Sequence, residues 1–443
     1  MLRNLKRIVK KQIFLLFTLV LSLFLLFFLR ENFYRTLTLE LSIWFWYFLG
    51  KKAKNFTYAS FLLLWFVLPF NISMQVFIGN VNPYVNGIFT NYLVPVITIL
   101  DLFGIILLLS SILEKKFSFQ PFSWDIGLLV IFGIFQLVLG SEIISIIGIA
   151  RISLYLLCFR VAINNTNIKG DQKYLWATKG LVLIQTGIAS LQFLRGSSLG
   201  ITFLGESIFS AGMKGSNFID LAGNLYMRGY GTFPHPNILA GWLLLTLVVL
   251  WKEKKGFFFL IVSSLGILLT FSRLGIFLLG MFWIFVIIDY FKEKKKFDIF
   301  SFFLILPERI LNLFRGEDSA VVDRINLLVE AWEVFKNNWV LGTGYNTFVK
   351  EMGKNMPRTA NGVWLNQPVH NVFLLSLCEL GILGTVLIGI LYWRTFFKRK
   401  IRVRNIKNVF IVICLISIGI VDHYLFSFPQ GLIIGMMMLF LIY

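Results

Sequence analysis

Three histidines, His235, His370 and His423, are the only ones in the chain, and around the first two the neighbouring residues could bind an anion and move a proton. His235 closes the run Arg228-Gly-Tyr-Gly-Thr-Phe-Pro-His-Pro-Asn237, after which an apolar stretch begins. Pro236 suits the first turn of a helix, whose unpaired N–H groups and positive dipole end would face the preceding segment. Flanked by Arg228 and Asn237, such a helix start is a ready anion site, with a lipid-linked diphosphate as the obvious anion at a membrane interface. Gly231, Pro234 and Pro236 would equally serve a tight helix start and nothing more. His370 stands beside Asn371 in Gln367-Pro-Val-His-Asn-Val-Phe-Leu-Leu-Ser-Leu-Cys-Glu-Leu-Gly-Ile-Leu-Gly384, again at the head of an apolar run. A neutral imidazole there could take a proton from an acceptor hydroxyl as a general base, or it could simply bond to the backbone of the first helical turn. Gly342 and Gly344, in Leu341-Gly-Thr-Gly-Tyr-Asn-Thr-Phe348, read as a turn when taken alone.

Arg273, in Phe271-Ser-Arg-Leu-Gly275, and Arg324 join Arg228 as basic residues outside the lysine-rich loops. Each could snorkel to lipid headgroups. Three guanidiniums sharing a membrane face with His-bearing helix starts favour diphosphate binding instead. Asp101, Arg151 and Glu379 fall about nine residues inside apolar runs, roughly 13 Å deep at helical rise. Isolated charges at that depth are costly, so Arg151 is expected to pair with one of the two carboxylates. Gly381, Thr385 and Gly389 follow Glu379 at small-xxx-small spacing and are expected to form a close helix-packing face. Cys158, Cys378 and Cys414 lie within apolar runs and lack CxxC spacing, which argues against disulfides and a Cys-ligated metal. With no Walker A, DxD or HExxH motif, the chemistry is expected to need neither a nucleotide nor a metal, and no cofactor.

The elements that must carry these residues are membrane helices. Of 443 residues 57% are hydrophobic and 14% charged, where a soluble chain needs roughly 25% charged residues to coat itself. Apolar runs without strand-like alternation place spans near 12–29, 36–50, 57–78, 92–113, 123–140, 143–161, 174–194, 236–251, 256–272, 274–291, 297–314, 371–393, 408–426 and 429–443. This is an all-α, polytopic transmembrane helical bundle of about 12–14 spans. The formal charge of +20 sits in short clusters (Lys6 to Lys11, Lys51 to Lys54, Lys115 and Lys116, Lys252 to Lys255, Lys292 to Lys296, Lys398 to Arg404). Those clusters recur at every second loop, so the charge reports cytoplasmic loops and gives no reason to expect a nucleic-acid partner. The first run, Gln12 to Leu29, lacks a small-residue cleavage site and reads as a retained signal anchor. Both termini are then inside, and two long loops, about 195–235 and 315–370, face out. The organisation reads as N-terminal spans over 1–194 and a region over 195–443 that carries both loops. In the second loop, Val321, Ile325, Leu328, Trp332, Phe335 and Trp339 share a stripe at helical spacing opposite Asp323, Glu330 and Asn337, which predicts an amphipathic helix over about 319–339. It is expected to lie on the bilayer surface or to cap the bundle.

Four segments in order, R-x-x-G-T-F-x-H-P-N-x-L-A from Arg228 to Ala240, S-R-x-G at Ser272, G-x-G-x-x-x-F at Gly342 and H-N-x-x-L-x-x-x-x-E-x-G at His370, resemble the O-antigen ligase/polymerase family over about the C-terminal half of the chain. The resemblance implies a metal-independent, inverting glycosyltransferase on the outer face of the inner membrane. Its donor would be a glycan on undecaprenyl diphosphate, and its acceptor a glycan, lipid A-core or a protein. It implies that Arg228, Arg273 and Arg324 bind the diphosphate and that His370, with Asn371 beside it, activates the acceptor hydroxyl. His235, Asn237, Gly342, Gly344 and Glu379 would support them. A flippase or other transporter of the same lipid-linked glycan is the alternative. It would require inverted repeats and a charged path across the bilayer, and neither is present in the sequence.

Overall fold

The computed structural model describes residues 12–22, 33–76, 82–116, 124–138, 142–165, 171–210, 217–221, 224–251, 253, 255–293, 319–359, 362–397 and 405–442. The basic stretch Lys6 to Lys11, the far end of the first expected span, most of the Lys252 to Lys255 and Lys292 to Lys296 clusters, the expected span at 297–314 and the Lys398 to Arg404 run lie outside the described residues.

The described chain is helical almost throughout. In order come α1 (Gln12–Ser22), α2 (Phe33–Ala53), α3 (Phe56–Val67), α4 (Ile99–Leu113), α5 (Trp124–Val138), α6 (Ile143–Asn165), α7 (Gln172–Arg195), α8 (Pro236–Leu250), α9 (Phe257–Leu269), α10 (Arg273–Glu293), α11 (Ser319–Asn337), α12 (Phe348–Met352), α13 (Val372–Tyr392), α14 (Ile406–Val421), α15 (Tyr424–Ser427) and α16 (Pro429–Ile442). Three stretches, Ile143–Asn165, Arg273–Phe291 and Val372–Phe396, are long and apolar enough to cross a bilayer. The protein is an all-α helical membrane protein. Large apolar side chains stand outward along α5 (Ile131, Phe135 and Val138 among them), where water would penalise them and lipid does not. By contrast α8 and α16 are buried on nearly every side. They pack against each other at the centre of the bundle, and helices apolar all round belong in such a place.

Two expected spans are shorter than the apolar runs suggested. The helix beginning at Phe56 ends at Val67, and the described residues between Leu68 and Thr98 form short strands and a 3-10 turn rather than a span. Pro69, Pro83 and Pro95 remove backbone donors there. Strand β1 (Ser73–Gln75) pairs with β4 (Val96–Thr98), and β2 (Tyr84–Val85) pairs with β3 (Ile88–Phe89). The β2–β3 turn is Asn86-Gly87, both at positive φ, which is the two-residue turn whose twist matches paired strands. Helix α4 therefore starts at Ile99, and Asp101 lies in its first turn rather than deep in a span. There it completes a capping box with Thr98. The expected ion pair does form: Arg151 Nε is 2.8 Å from Asp101 Oδ1 and Nη2 is 2.9 Å from Oδ2, while the Tyr155 hydroxyl donates to Oδ1 at 2.7 Å.

The small-residue stripe after Glu379 proves to be something else. Gly381 takes φ 62° and ψ −173°, which breaks α13 in mid-helix. The segment after α11 fills the break with its own backbone. Ile382 donates to Trp339 O (2.8 Å) and Leu383 to Val340 O (3.2 Å), while Thr343 donates to Cys378 O (2.9 Å) and Gly344 to Glu379 O (2.8 Å). A non-helical backbone within a membrane protein survives only when its polar groups are paired in this way. Neither glycine tolerates a side chain. A Cβ on Gly342 would lie 2.4 Å from the Glu379 carbonyl, and one on Gly381 would lie 2.2 Å from Val340 O. At Gly389, the last of the stripe, an added Cβ would meet nothing within 4 Å among the described residues.

Helix α11 is amphipathic, but two of its faces are apolar. Leu327, Ala331 and Val334 are buried toward α13, whereas Ile325, Leu328, Trp332 and Trp339 of the expected stripe are exposed. An exposed stripe holding two tryptophans suits the membrane interface.

Candidate active site

The site is built where the starts of α8 and α10 meet α11, α13 and the end of α14. His235 is the N-cap of α8, and its Nδ1 accepts the N–H of Asn237 at 3.1 Å. Asn237 is thereby fixed with its amide between two charges. Its Oδ1 accepts from Arg228 Nη2 at 2.9 Å, and its Nδ2 donates to Asp422 Oδ2 at 2.7 Å. Arg228 Nε donates to Thr270 O at 2.6 Å, which ties it to the turn between α9 and α10. In that turn Phe271 has φ 46°, and Ser272 Oγ accepts the N–H of Gly275 at 3.3 Å, as a capping side chain does. Gly275 lies against Ala240, where a Cβ would come within 2.9 Å. The S-R-x-G segment thus has a physical reading: serine caps, arginine leads the helix, and glycine lets α10 close on α8.

A cavity of about 450 Å³ opens between these elements. Arg228, Arg273, Arg324, Asn237 and Asp422 line its polar part, while Phe271, Phe277, Leu278, Ile418 and Val421 line its apolar part. The three arginines arrive from separate elements, namely the segment before α8, the start of α10 and α11. Burial pulls the Arg228 guanidinium down to about 10, and the charges of Arg273 and Arg324 push the same way against Tyr230 and Asp422. An anion in the cavity would relieve that repulsion.

His370 does not line the cavity itself; Asp422 stands between. Its Nδ1 lies 3.8 Å from Asp422 Oδ1, an ion-pair distance rather than a hydrogen bond, and has no hydrogen-bond partner among the described residues. The His370 ring centroid is 5.1 Å from that of His423. Asp422 Oδ1 also accepts the backbone N–H of His423 at 2.7 Å. Burial disfavours the charge on Asp422, but the imidazoles of His370, His423 and His235 hold its carboxyl well below the usual range. Burial depresses His423 to about 3 and His235 to about 4 despite the pull of Asp422, so both are neutral near pH 7. His423 Nδ1 is 2.6 Å from Ser427 Oγ. His370, Asp422 and His423 each offer a ligand atom, all within 4.8 Å of one another, so this cluster could hold a metal that the sequence gave no reason to expect.

Asn371 is occupied with structure. Its Oδ1 caps α13 by accepting from Leu374 N at 2.9 Å, and its Nδ2 donates to Ile420 O at 3.2 Å, which ties the start of α13 to the end of α14. Gly342, Gly344 and Glu379 lie away from the cavity lining. They form the interlock that fixes α13, the helix whose start carries His370. Glu379 Oε1 accepts from Phe348 N at 3.4 Å, and Oε2 has no hydrogen-bond partner among the described residues.

Residues 257–389 match the family model described as O-antigen ligase. Over this segment the chain is similar to O-antigen ligases. The match supports a membrane enzyme of lipid-linked glycan processing. No curated protein and no solved structure matches the chain. The matched ligase segment holds Arg273, Arg324, Gly342, Gly344, His370, Asn371 and Glu379, whereas Arg228, His235, Asn237 and Asp422 lie on either side of it. Arg228, His235 and Asn237 stand out in the sequence as well, and contacts alone bring Asp422 in. Asp422 is the residue that sequence reasoning missed, and the one available signal was an acidic residue at the mouth of an apolar run, directly before the third histidine.

Proposed function

We propose that the protein transfers a glycan from undecaprenyl diphosphate to an acceptor hydroxyl on the outer face of the inner membrane, as an O-antigen ligase or polysaccharide polymerase. The observation that carries this reading is the single cavity lined by three guanidiniums from three elements and by the carboxylate beside His370. The diphosphate sits among Arg228, Arg273 and Arg324, which form charge-assisted hydrogen bonds to it. The lipid tail runs over the apolar part of the cavity. A carboxylate beside Nδ1 favours the tautomer protonated on that nitrogen, which leaves Nε2 with its lone pair. The acceptor oxygen attacks the anomeric carbon and passes its proton to His370 Nε2. The bond from that carbon to the phosphate oxygen breaks, and its electron pair leaves on the diphosphate. The guanidiniums stabilise the charge developing there, so no acid is required. Attack opposite the leaving group inverts the anomeric centre. Asp422 stabilises the imidazolium, and Asn371 positions the helix that presents it. The acceptor is a glycan, lipid A-core or a protein hydroxyl.

The test is transfer by the purified protein in nanodiscs, with a lipid-diphosphate glycan and an acceptor. His370→Ala should abolish transfer and Arg273→Ala should slow it by about 10–100-fold at subsaturating donor, both as monodisperse, folded protein, and linkage analysis of the wild-type product should show inversion. In cells the same variants should accumulate lipid-linked donor on the outer face. Accumulation on the cytoplasmic face would overturn the reading in favour of a transporter.

A further inference from the structure

The cluster behind the cavity has a chemistry that glycan transfer does not use. His370, Asp422 and His423 come from two segments, the start of α13 and the link between α14 and α15, and their ligand atoms lie within 4.8 Å of one another. We propose that these three residues form a binding site for a transition-metal cation of the zinc class, and that occupancy withdraws His370 from the reaction and switches the enzyme off. Two imidazoles and one carboxylate are a borderline-soft donor set, suited to zinc and its neighbours and poorly suited to magnesium or calcium. A tetrahedral ion with bonds of about 2.0–2.1 Å separates its ligand atoms by about 3.4 Å. The His370 Nδ1 to Asp422 Oδ1 distance of 3.8 Å is already close to that.

The groups around the cluster are arranged as a metal site requires. Ser427 Oγ, 2.6 Å from His423 Nδ1, holds the ring by one nitrogen and leaves Nε2 to a ligand. Asn237 Nδ2, 2.7 Å from Asp422 Oδ2, holds the carboxylate. Such outer partners fix the orientation of ligating side chains. His370 Nδ1 is buried without a hydrogen-bond partner among the described residues, and a bound cation would satisfy it. Asp422 lines the cavity, so an ion can enter through it and keep its open coordination position toward that space. The carboxylate offsets the guanidiniums of Arg228, Arg273 and Arg324, which would otherwise repel a cation. With three protein ligands the ion is held reversibly, as an inhibitor is. The switching half of the proposal rests on His370 acting as the base; the binding half does not.

The test is titration of chelator-treated protein in nanodiscs with cobalt(II), followed by its visible absorption. Bands of a low-symmetry, four-coordinate ion should appear and vanish when zinc is added. His423→Gln should abolish them, and Ser427→Ala should weaken binding by about 10–100-fold. Zinc should lower the transfer rate by at least tenfold, with recovery on adding a chelator, and the same concentration of magnesium or calcium should have no effect. A silent spectrum, or one unchanged in monodisperse His423→Gln protein, overturns the site. Zinc that binds but leaves the transfer rate unchanged overturns the switch. A protein that transfers no glycan under any condition refutes the proposed function, and the cobalt spectrum still decides the metal site.

Discussion

Replacing Asp422 with Asn separates the proposed roles of the cavity residues. The carboxylate is buried and lies 3.8 Å from His370 Nδ1. At an effective dielectric of about 20, a unit charge at that distance stabilises an imidazolium by about 4 kcal/mol, which corresponds to roughly a thousandfold in rate. The amide dipole and water admitted to the site return part of this, so kcat for Asp422→Asn should fall by about 10²–10³-fold. The amide also places a second donor near either Asn237 Nδ2 or the His423 N–H, both of which now donate to the carboxylate. Asn237 must then turn its amide, which loosens the bond from Arg228 to its Oδ1 and raises KM for the donor by a few-fold. The assay is transfer from purified lipid-diphosphate glycan at saturating donor, with kcat and KM resolved, beside Asp422→Glu as the variant that retains the charge. A folded Asp422→Asn protein whose kcat stays within fivefold of wild type would refute the claim that this carboxylate stabilises the charged base. A fall confined to KM would instead limit Asp422 to holding the donor arginines.

Arg273→Ala and Arg324→Ala should each raise KM for the donor by about 10–100-fold, the loss of one charge-assisted hydrogen bond, with partial rescue by Lys; an unchanged KM for both would remove them from the diphosphate site. Gly342→Ala should lower thermal stability by several kcal/mol or abolish folded yield, because its Cβ meets the Glu379 carbonyl at 2.4 Å and φ is 70°; a stable protein with wild-type melting would show that the interlock does not form. His235→Asn should keep the α8 cap and melt close to wild type, whereas His235→Ala should cost about 1 kcal/mol, a difference that thermal denaturation resolves. Stability should also fall as pH drops from about 6.5 to 4. Between those values the unfolded chain protonates His235 and His423 while the folded one, with these groups depressed to about 4 and about 3, largely does not; Asp422, held ionised in the folded state, adds to the same slope only near pH 4, where the unfolded carboxylate begins to take up a proton. A melting temperature flat across that window would contradict the burial of both rings.

The sequence alone determined the elements and singled out most of the candidate site residues. Hydrophobic length and the lysine clusters located the apolar helices within a few residues for most spans, because lipid imposes the same demand on each helix wherever it lies in the bundle. The same logic found α11 from its periodicity and set Arg228, Arg273, Arg324 and His370 apart as polar groups out of place. It failed where tertiary pairing replaced the helical solution. Residues 68–76 and 92–98 read as span ends, yet prolines and an intervening Asn-Gly turn go with short paired strands. The small residues after Glu379 read as a packing stripe, yet Gly381 breaks the helix because a distant segment supplies the backbone partners. Only the tertiary structure decided what surrounds His370. Asp422 is about fifty residues further along the chain, and no local period links the two. Their meeting depends on α13 and α14 packing side by side and on Asn237 reaching across from α8, contacts between elements that a one-dimensional pattern does not carry.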